Sequence, residues 1–348
     1  MLAPRRRNDL RSKPHDNLTS VSDTGRPTAL VTAPFRGAGL ELLNDVCDVV
    51  ADPWLVPGRP MRLLDPEKLG ARIDETGATV VICEADMCMG EVLERPLVAI
   101  GSTRGDPTNV DVAAATAAGV PVLHAPGRNA DGVAEVTVAL LMALSRHVLP
   151  ADHDVREGEV FRGGTIPYER FRAWELTGRT AGLVGLGAVG QATKWRLEGL
   201  GMNVIAHDPY NDDATHSLDE LLAEADVVSM HAAVTPENLG MMNEKRFAQM
   251  KPDAVFLNTA RAALHDLDDL TDALAAGQIA GAALDHFEGE QLPADHPLLS
   301  MPNTVLTPHI GGATYNTEAN HSEMIAADVA ALLRGDRPER CANPEVLK

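Results

Sequence analysis

With 348 residues the chain is about twice the size at which single cores are commonest, so two domains are expected. A 45% hydrophobic and 23% charged composition excludes collagenous, mucin-like and disordered classes. The net charge of −20 is uneven, +3 over residues 1–26 and −23 over the rest; a body that acidic repels phosphate backbones and anionic lipid, so neither nucleic acid nor membrane is expected as a partner.

Residues 1–26, rich in Arg and interrupted by Pro4 and Pro14, read as a disordered tail rather than a targeting helix. Beyond them, short Val- and Ile-rich runs alternate with helical stretches, the rhythm of βα units and parallel sheets. Strands are expected near 29–32, 79–83, 97–101 and 120–124, with an Ala-rich helix over 110–118. The span 132–147 is apolar nearly all round, which suits a helix buried between domains or subunits and leads us to expect a homodimer. Further strands are expected near 181–185, 203–207, 227–231, 254–258, 281–285 and 305–307. Between them, Ser217 and Glu220 form a capping box, Asp266 caps the helix that follows it, and Gly277 stands where a left-handed C-terminal residue is wanted. After Gly312 one long helix runs to Gly335 and is expected to cross back onto the first domain.

Cys47, Cys83, Cys88 and Cys341 lack the spacing of a zinc site and read as reduced thiols, so no metal is expected. No window approaches the roughly 18 apolar residues of a membrane span, and the start lacks a secretory apolar stretch; a cytoplasmic location is expected.

The strand at 181–184 runs into Gly185, Gly187 and Gly190, spaced GxGxxG at the start of a helix. A tight turn, close approach to a pyrophosphate and close helix packing each favour a residue without a side chain, and the amides of Ala188 and Val189 would face the pyrophosphate at the positive helix end. Asp208 follows Gly187 by 21 residues at the end of the next strand, where a carboxylate accepts ribose hydroxyls and repels a 2′-phosphate. A bound dinucleotide is expected, NAD in preference to NADP.

Three segments close later strands: NTAR at 258–261, DHFEGE at 285–290 and TPHIGG at 307–312. Ligands gather beyond the carboxyl ends of parallel strands, so the three should converge. With GLGAVG at 185–190, HDP at 207–209 and HAAVTPEN at 231–238, they make residues 95–335 resemble the D-isomer-specific 2-hydroxyacid dehydrogenases. The resemblance implies two Rossmann-like, doubly wound α/β domains. A substrate domain of residues 27–125 plus 313–348 would be interrupted by an NAD-binding domain of residues 126–312. It also implies Arg261 as the substrate-carboxylate arginine, His309 as general acid/base and Glu290 as its partner, with Gln291 departing from the family's usual proline. Thr259, Ala260 and Gly312 are implied cofactor contacts, and Asp285 would face the nicotinamide end. The loop at 102–111, STRGDPTNVD, is implied to meet the substrate through Gly105 and Arg104. Arg104 either reaches a distal polar group or faces solvent or pairs with Asp106. The expected substrates are small 2-hydroxyacids or 2-oxoacids, a phosphoglycerate or sugar acid first. A glyoxylate or hydroxypyruvate reductase, or a dinucleotide-sensing corepressor, is the alternative.

Overall fold

Parallel pairing joins every strand of the chain's two sheets in the computed structural model, which describes residues 25–347. The tail read over 1–26 therefore lies, but for Gly25 and Arg26, outside the described residues. The first sheet holds β1 (Thr28–Val31), β2 (Asp48–Ala51), β3 (Val80–Cys83), β4 (Ala99–Ser102) and β5 (Val122–Leu123), in the order β2-β1-β3-β4-β5. The second holds β6 (Thr180–Val184), β7 (Asn203–His207), β8 (Val227–Met230), β9 (Val255–Asn258), β10 (Gly281–Leu284) and β11 (Thr304–Leu306), in the order β11-β10-β9-β8-β6-β7. Both orders reverse direction once, at β1/β3 and at β6/β8, which is the doubly wound arrangement with a crevice at each reversal. The central strands β3, β8 and β10 are buried along their whole length, as strands covered on both faces must be.

Helices α1 (Gly37–Val46), α2 (Pro66–Thr76) and α3 (Val112–Ala117) follow strands of the first sheet. Helices α4 (Ala130–Ser145), α5 (Val148–Glu157) and the single turn α6 (Pro167–Arg170) lead into the second, which carries α7 (Ala188–Gly199), α8 (Leu218–Glu224), α9 (Glu244–Phe247) and α10 (Leu267–Ala275). The capping box of Ser217 and Glu220 forms, Asp266 accepts from the amides of Asp268 and Asp269, and Gly277 has a φ of 64°. The last helix, α11 (Tyr315–Arg334), ends at left-handed Gly335 and returns to the first sheet, where Ile325, Ala326 and Val329 pack among Ala29, Val31, Val80 and Ile82. Its crossing with α1 is so close that a Cβ on Gly39 would lie 2.2 Å from the backbone of Ser322.

Several expected elements shift. The strand read over 120–124 shrinks to Val122 and Leu123, because Pro121 has no N–H to donate to the ladder. The helix read over 110–118 starts at Val112, where Asp111 caps it by accepting from Ala114. The helix read over 132–147 forms as α4, which lays Leu140, Leu141 and Leu144 on the second sheet and α7, while Glu135 and Ala139 face outward in the single chain. Asp131 and Glu135 pair with Arg196 of α7. No single helix among the described residues is long and apolar enough to cross a membrane.

A polar network anchors the link between the two sheets to the first sheet and its returning helix. Arg128, in the link from β5 to α4, pairs with Glu84 at 2.5 Å and donates to Nδ1 of His321 in α11 at 2.6 Å. His321 therefore keeps its proton on Nε2 and donates it to the carbonyl of Pro34 at 2.6 Å. Burial drives the His321 pKa down to about 4, so the ring stays neutral. Burial alone would raise Glu84, but the charge and hydrogen bond of Arg128 outweigh it and hold the carboxyl below its ordinary range.

Candidate active site

The turn after β6 meets each demand made of its glycines. Gly185 has a φ of 100°, and a Cβ there would lie 2.5 Å from the Ala232 nitrogen. One on Gly190 would sit 2.2 Å from the Gly185 carbonyl oxygen, whereas one on Gly187 would meet nothing within 4 Å. Gly185 and Gly190 are thus required by packing, and Gly187 leaves open space at the uncapped start of α7, where Ala188 and Val189 begin the helix. An anion approaching closely enough to bond those amides would need that space. Asp208, just past β7, accepts from the amides of Leu186 at 2.7 Å and Tyr210 at 2.9 Å, so its half-buried carboxylate is held against the same turn. These residues fit the adenosine and pyrophosphate of a nicotinamide dinucleotide.

At the carboxyl ends of β9, β10 and β11, buried polar side chains shape three loops. Asn258 donates to the Arg261 carbonyl at 2.8 Å and accepts from the Ala260 amide at 3.0 Å, closing the turn that carries Arg261. The hydroxyl of Thr259 is used inside, 2.8 Å from that of Thr137 on α4, which leaves backbone as its outward face. Asp285 is fully buried and accepts from the Thr307 hydroxyl at 2.6 Å and from the Ile310 and Gly311 amides at 2.9 and 2.8 Å. Those three bonds fold the loop that bears His309. Gly312 follows, half-buried beside Asn129.

The consequence is a hydrogen-bonded pair. Nδ1 of His309 donates to the Glu290 carboxylate, 3.0 Å from each oxygen, which leaves Nε2 as the ring's outward atom. Both side chains are open to solvent, 44% for His309 and 63% for Glu290. Only three described residues other than glycine have positive φ, and two of them are Glu290 at 63° and His309 at 56°. Such backbone is disfavoured for side-chain-bearing residues and persists where surroundings impose it, which is a recurrent property of reaction centres.

One neighbour was not singled out from the sequence. His286, 6% exposed, lies with its ring centroid 3.7 Å from that of His309. Burial lowers its pKa to about 4, and the nearby charges of His309 and Arg261 push the same way, so it is neutral at neutral pH. Arg261 itself stands at the neighbouring strand end, its guanidinium donating to the Ala260 carbonyl at 2.6 Å. The residue was in view within DHFEGE, but nothing local marks a strand-end histidine as facing a partner 23 residues away.

In the first sheet, Ser102 and buried Asn109 hold the loop after β4 through a 2.7 Å bond. Gly105 uses its carbonyl to accept from His124 Nδ1 at 2.7 Å. Arg104 neither faces solvent freely nor pairs with Asp106: half-buried, it donates to the Glu84 carbonyl at 2.6 Å and to the Thr108 hydroxyl at 3.1 Å. A carbonyl across the loop offers a fixed acceptor, whereas the Asp106 carboxylate is exposed and better served by water.

Two doubly wound sheets, an open glycine turn at a helix start and a histidine–carboxylate pair at the strand ends define a nicotinamide-dependent oxidoreductase. Residues 138–311 match the family model described as D-isomer specific 2-hydroxyacid dehydrogenase, NAD binding domain. The chain is 36% identical over 338 residues to the glyoxylate reductase of Thermofilum pendens, covering 93% of this chain and 96% of that protein. It is 32% identical over 325 residues to the D-3-phosphoglycerate dehydrogenase of Methanocaldococcus jannaschii, covering 90% of this chain and 59% of that one. Among solved structures, the TT0316 protein of Thermus thermophilus superimposes with a TM-score of 0.77 at 35% identity, over 90% of this chain and 99% of the other. The chain belongs to the D-isomer specific 2-hydroxyacid dehydrogenase family.

Proposed function

We propose that the chain interconverts a D-2-hydroxyacid and its 2-oxoacid with NAD, using His309 as general acid/base, Glu290 as its partner and Arg261 to bind the substrate carboxylate. The observation that carries this reading is the hydrogen-bonded His309–Glu290 pair on left-handed backbone. When bound, the nicotinamide supplies or accepts the hydride. The Nε2 atom of His309 takes the hydroxyl proton in oxidation and gives it back in reduction, while the carboxylate on Nδ1 holds the tautomer and the ring's orientation. Arg261 offers a planar fork to the substrate carboxylate. The turn at Gly185, Gly187 and Gly190 would hold the pyrophosphate, and the backbone of Thr259, Ala260 and Gly312 would line the rest of the cofactor site. Asp285, its oxygens already accepting three bonds, acts by shaping the His309 loop at the nicotinamide end.

For the substrate we favour a polar hydroxyacid such as 3-phosphoglycerate or a sugar acid, with Arg104 on its distal side and the backbone of the loop at Gly105 toward its carboxylate. A small oxoacid such as glyoxylate is the second reading, favoured by the two hydrogen bonds that already occupy Arg104. The test is NADH oxidation with phosphohydroxypyruvate, hydroxypyruvate, glyoxylate, pyruvate and a sugar-derived oxoacid, run on the wild type and Arg104→Ala. A distal contact predicts roughly a tenfold or greater loss, confined to the substrates with a distal polar group. An unchanged rank order removes Arg104 from specificity. Tight NADH binding with no turnover on any oxoacid would replace the enzyme reading by that of a dinucleotide sensor.

Preference for NAD is supported by Asp208 and by residues 208–216, which include Asp212 and Asp213 but no Lys or Arg to meet a 2′-phosphate. Asp208→Ala is expected to move the ratio of kcat/KM for NADH over NADPH toward NADPH by about tenfold or more, the worth of a charge-assisted hydrogen bond pair. An unmoved ratio would remove Asp208 as the discriminator. A homodimer is supported further by the segment 148–174 that follows α4: Val155, Phe161, Tyr168 and Trp174 are 66–78% exposed there, an apolar stretch of the kind that marks a contact surface. Sedimentation equilibrium should return twice the 37.1 kDa chain mass, and a monomer at every concentration would discard the assembly.

A further inference from the structure

We propose that His286, Glu290 and His309 form a binding site for a divalent transition-metal ion of the zinc class, and that its occupation switches the enzyme off by taking the groups proposed for acid/base work. The idea rests on the functional reading above only for its consequence; the site itself stands on geometry. One ligand atom from each residue lies within 4.8 Å of the other two. The histidine rings are 3.7 Å apart between centroids, and the Glu290 oxygens are already 3.0 Å from His309 Nδ1.

His286 is the informative member. It is 6% exposed, it faces the His309 ring, and among the described residues neither of its nitrogens has a hydrogen-bond partner. No protein group among those residues competes for the nitrogens, so the ring keeps its ligand capacity free within reach of the pair. Two imidazoles and one carboxylate suit zinc, cobalt or nickel, whereas calcium and magnesium favour all-oxygen sets. Three protein ligands leave a position open to water or substrate. Closing on the ion at about 2.0–2.2 Å requires small shifts, and the two members that must move, His309 and Glu290, are the exposed ones. Arg261 opposes the ion's charge, so the site should hold metal reversibly rather than permanently.

Occupation replaces the His309–Glu290 hydrogen bond by two metal bonds. Inhibition by Zn²⁺ should therefore be reversed by a chelator and relieved by removing His286, which is not one of the groups given a part in the reaction. The test uses the full-length protein freed of metal and titrated with Co²⁺ and then Zn²⁺. The wild type should develop the visible absorption of protein-bound Co²⁺, and Zn²⁺ should bleach it. His286→Phe keeps a ring of similar size without nitrogens; it should lose the Co²⁺ absorption and need at least about tenfold more Zn²⁺ for half-inhibition. His286→Asn serves if circular dichroism finds the Phe variant unfolded. Wild-type protein that turns over but develops no Co²⁺ absorption overturns the metal site alone. Absorption that forms in protein without dehydrogenase activity supports the site and overturns the functional reading instead. Equal Zn²⁺ inhibition of wild type and variant overturns the part given to His286.

Discussion

His309→Asn is expected to lower kcat for oxoacid reduction by about 10²–10⁴, the usual worth of a positioned acid/base, while NADH affinity stays within about twofold. Asparagine is the informative replacement because it tolerates left-handed backbone, so the φ of 56° at this position adds little new strain and the loop bonds to Asp285 remain. What disappears is the outward Nε2 and the tautomer imposed by the Glu290 carboxylate. Steady-state rates and fluorescence titration with NADH separate the two effects. Glu290→Gln should give a smaller fall, since an amide can still meet Nδ1 but no longer offers the two equivalent acceptor oxygens that hold the ring in place. Turnover of His309→Asn within threefold of wild type would return His309 to the status of an ordinary loop residue.

Arg261→Ala should lower kcat/KM on the order of a hundredfold or more for every 2-oxoacid alike, because each charge-assisted bond to the carboxylate is worth roughly 1.5–3 kcal/mol and the planar fork makes two. Arg261→Lys should recover only part of this, a point charge being a poor substitute for a bidentate donor. Most of the loss should fall on KM, and any accompanying fall in kcat measures how far the guanidinium polarises the reacting carbonyl. Asn258 holds this turn from beneath, so Asn258→Ala should reproduce a fraction of the same KM rise without removing a charge. Loss that varies strongly among oxoacids would point Arg261 at the distal end of the substrate instead of the carboxylate they share.

Much of the architecture was legible along the chain because its causes are local. Buried parallel strands announce themselves as Val- and Ile-rich runs, the glycine turn by spacing, and helix starts by Ser217, Asp266 and their neighbours; all need only a few consecutive residues. The strand β2 escaped notice, being a short edge strand that begins with Asp48 and is only partly buried. Helices α1 and α2 were likewise unassigned, although Asp65 caps α2 and Gly77 ends it in left-handed backbone.

The site divides the same way. Residue type and motif sufficed to nominate Arg261, Glu290 and His309, since carboxylate binding and proton transfer admit few side chains. The meeting of His309 with Glu290 across 19 residues, the burial of Asp285 under the His309 loop, and the presence of His286 against the ring were fixed only when three neighbouring strands brought their ends together. Arg104 is the sharpest case: its own loop offered Asp106, but the sheet order set the Glu84 carbonyl from β3 beside β4, and that acceptor took the guanidinium. Hydrogen bonds between strand ends join residues with no regular separation along the chain, so no periodicity encodes them; only the packed order of the strands does.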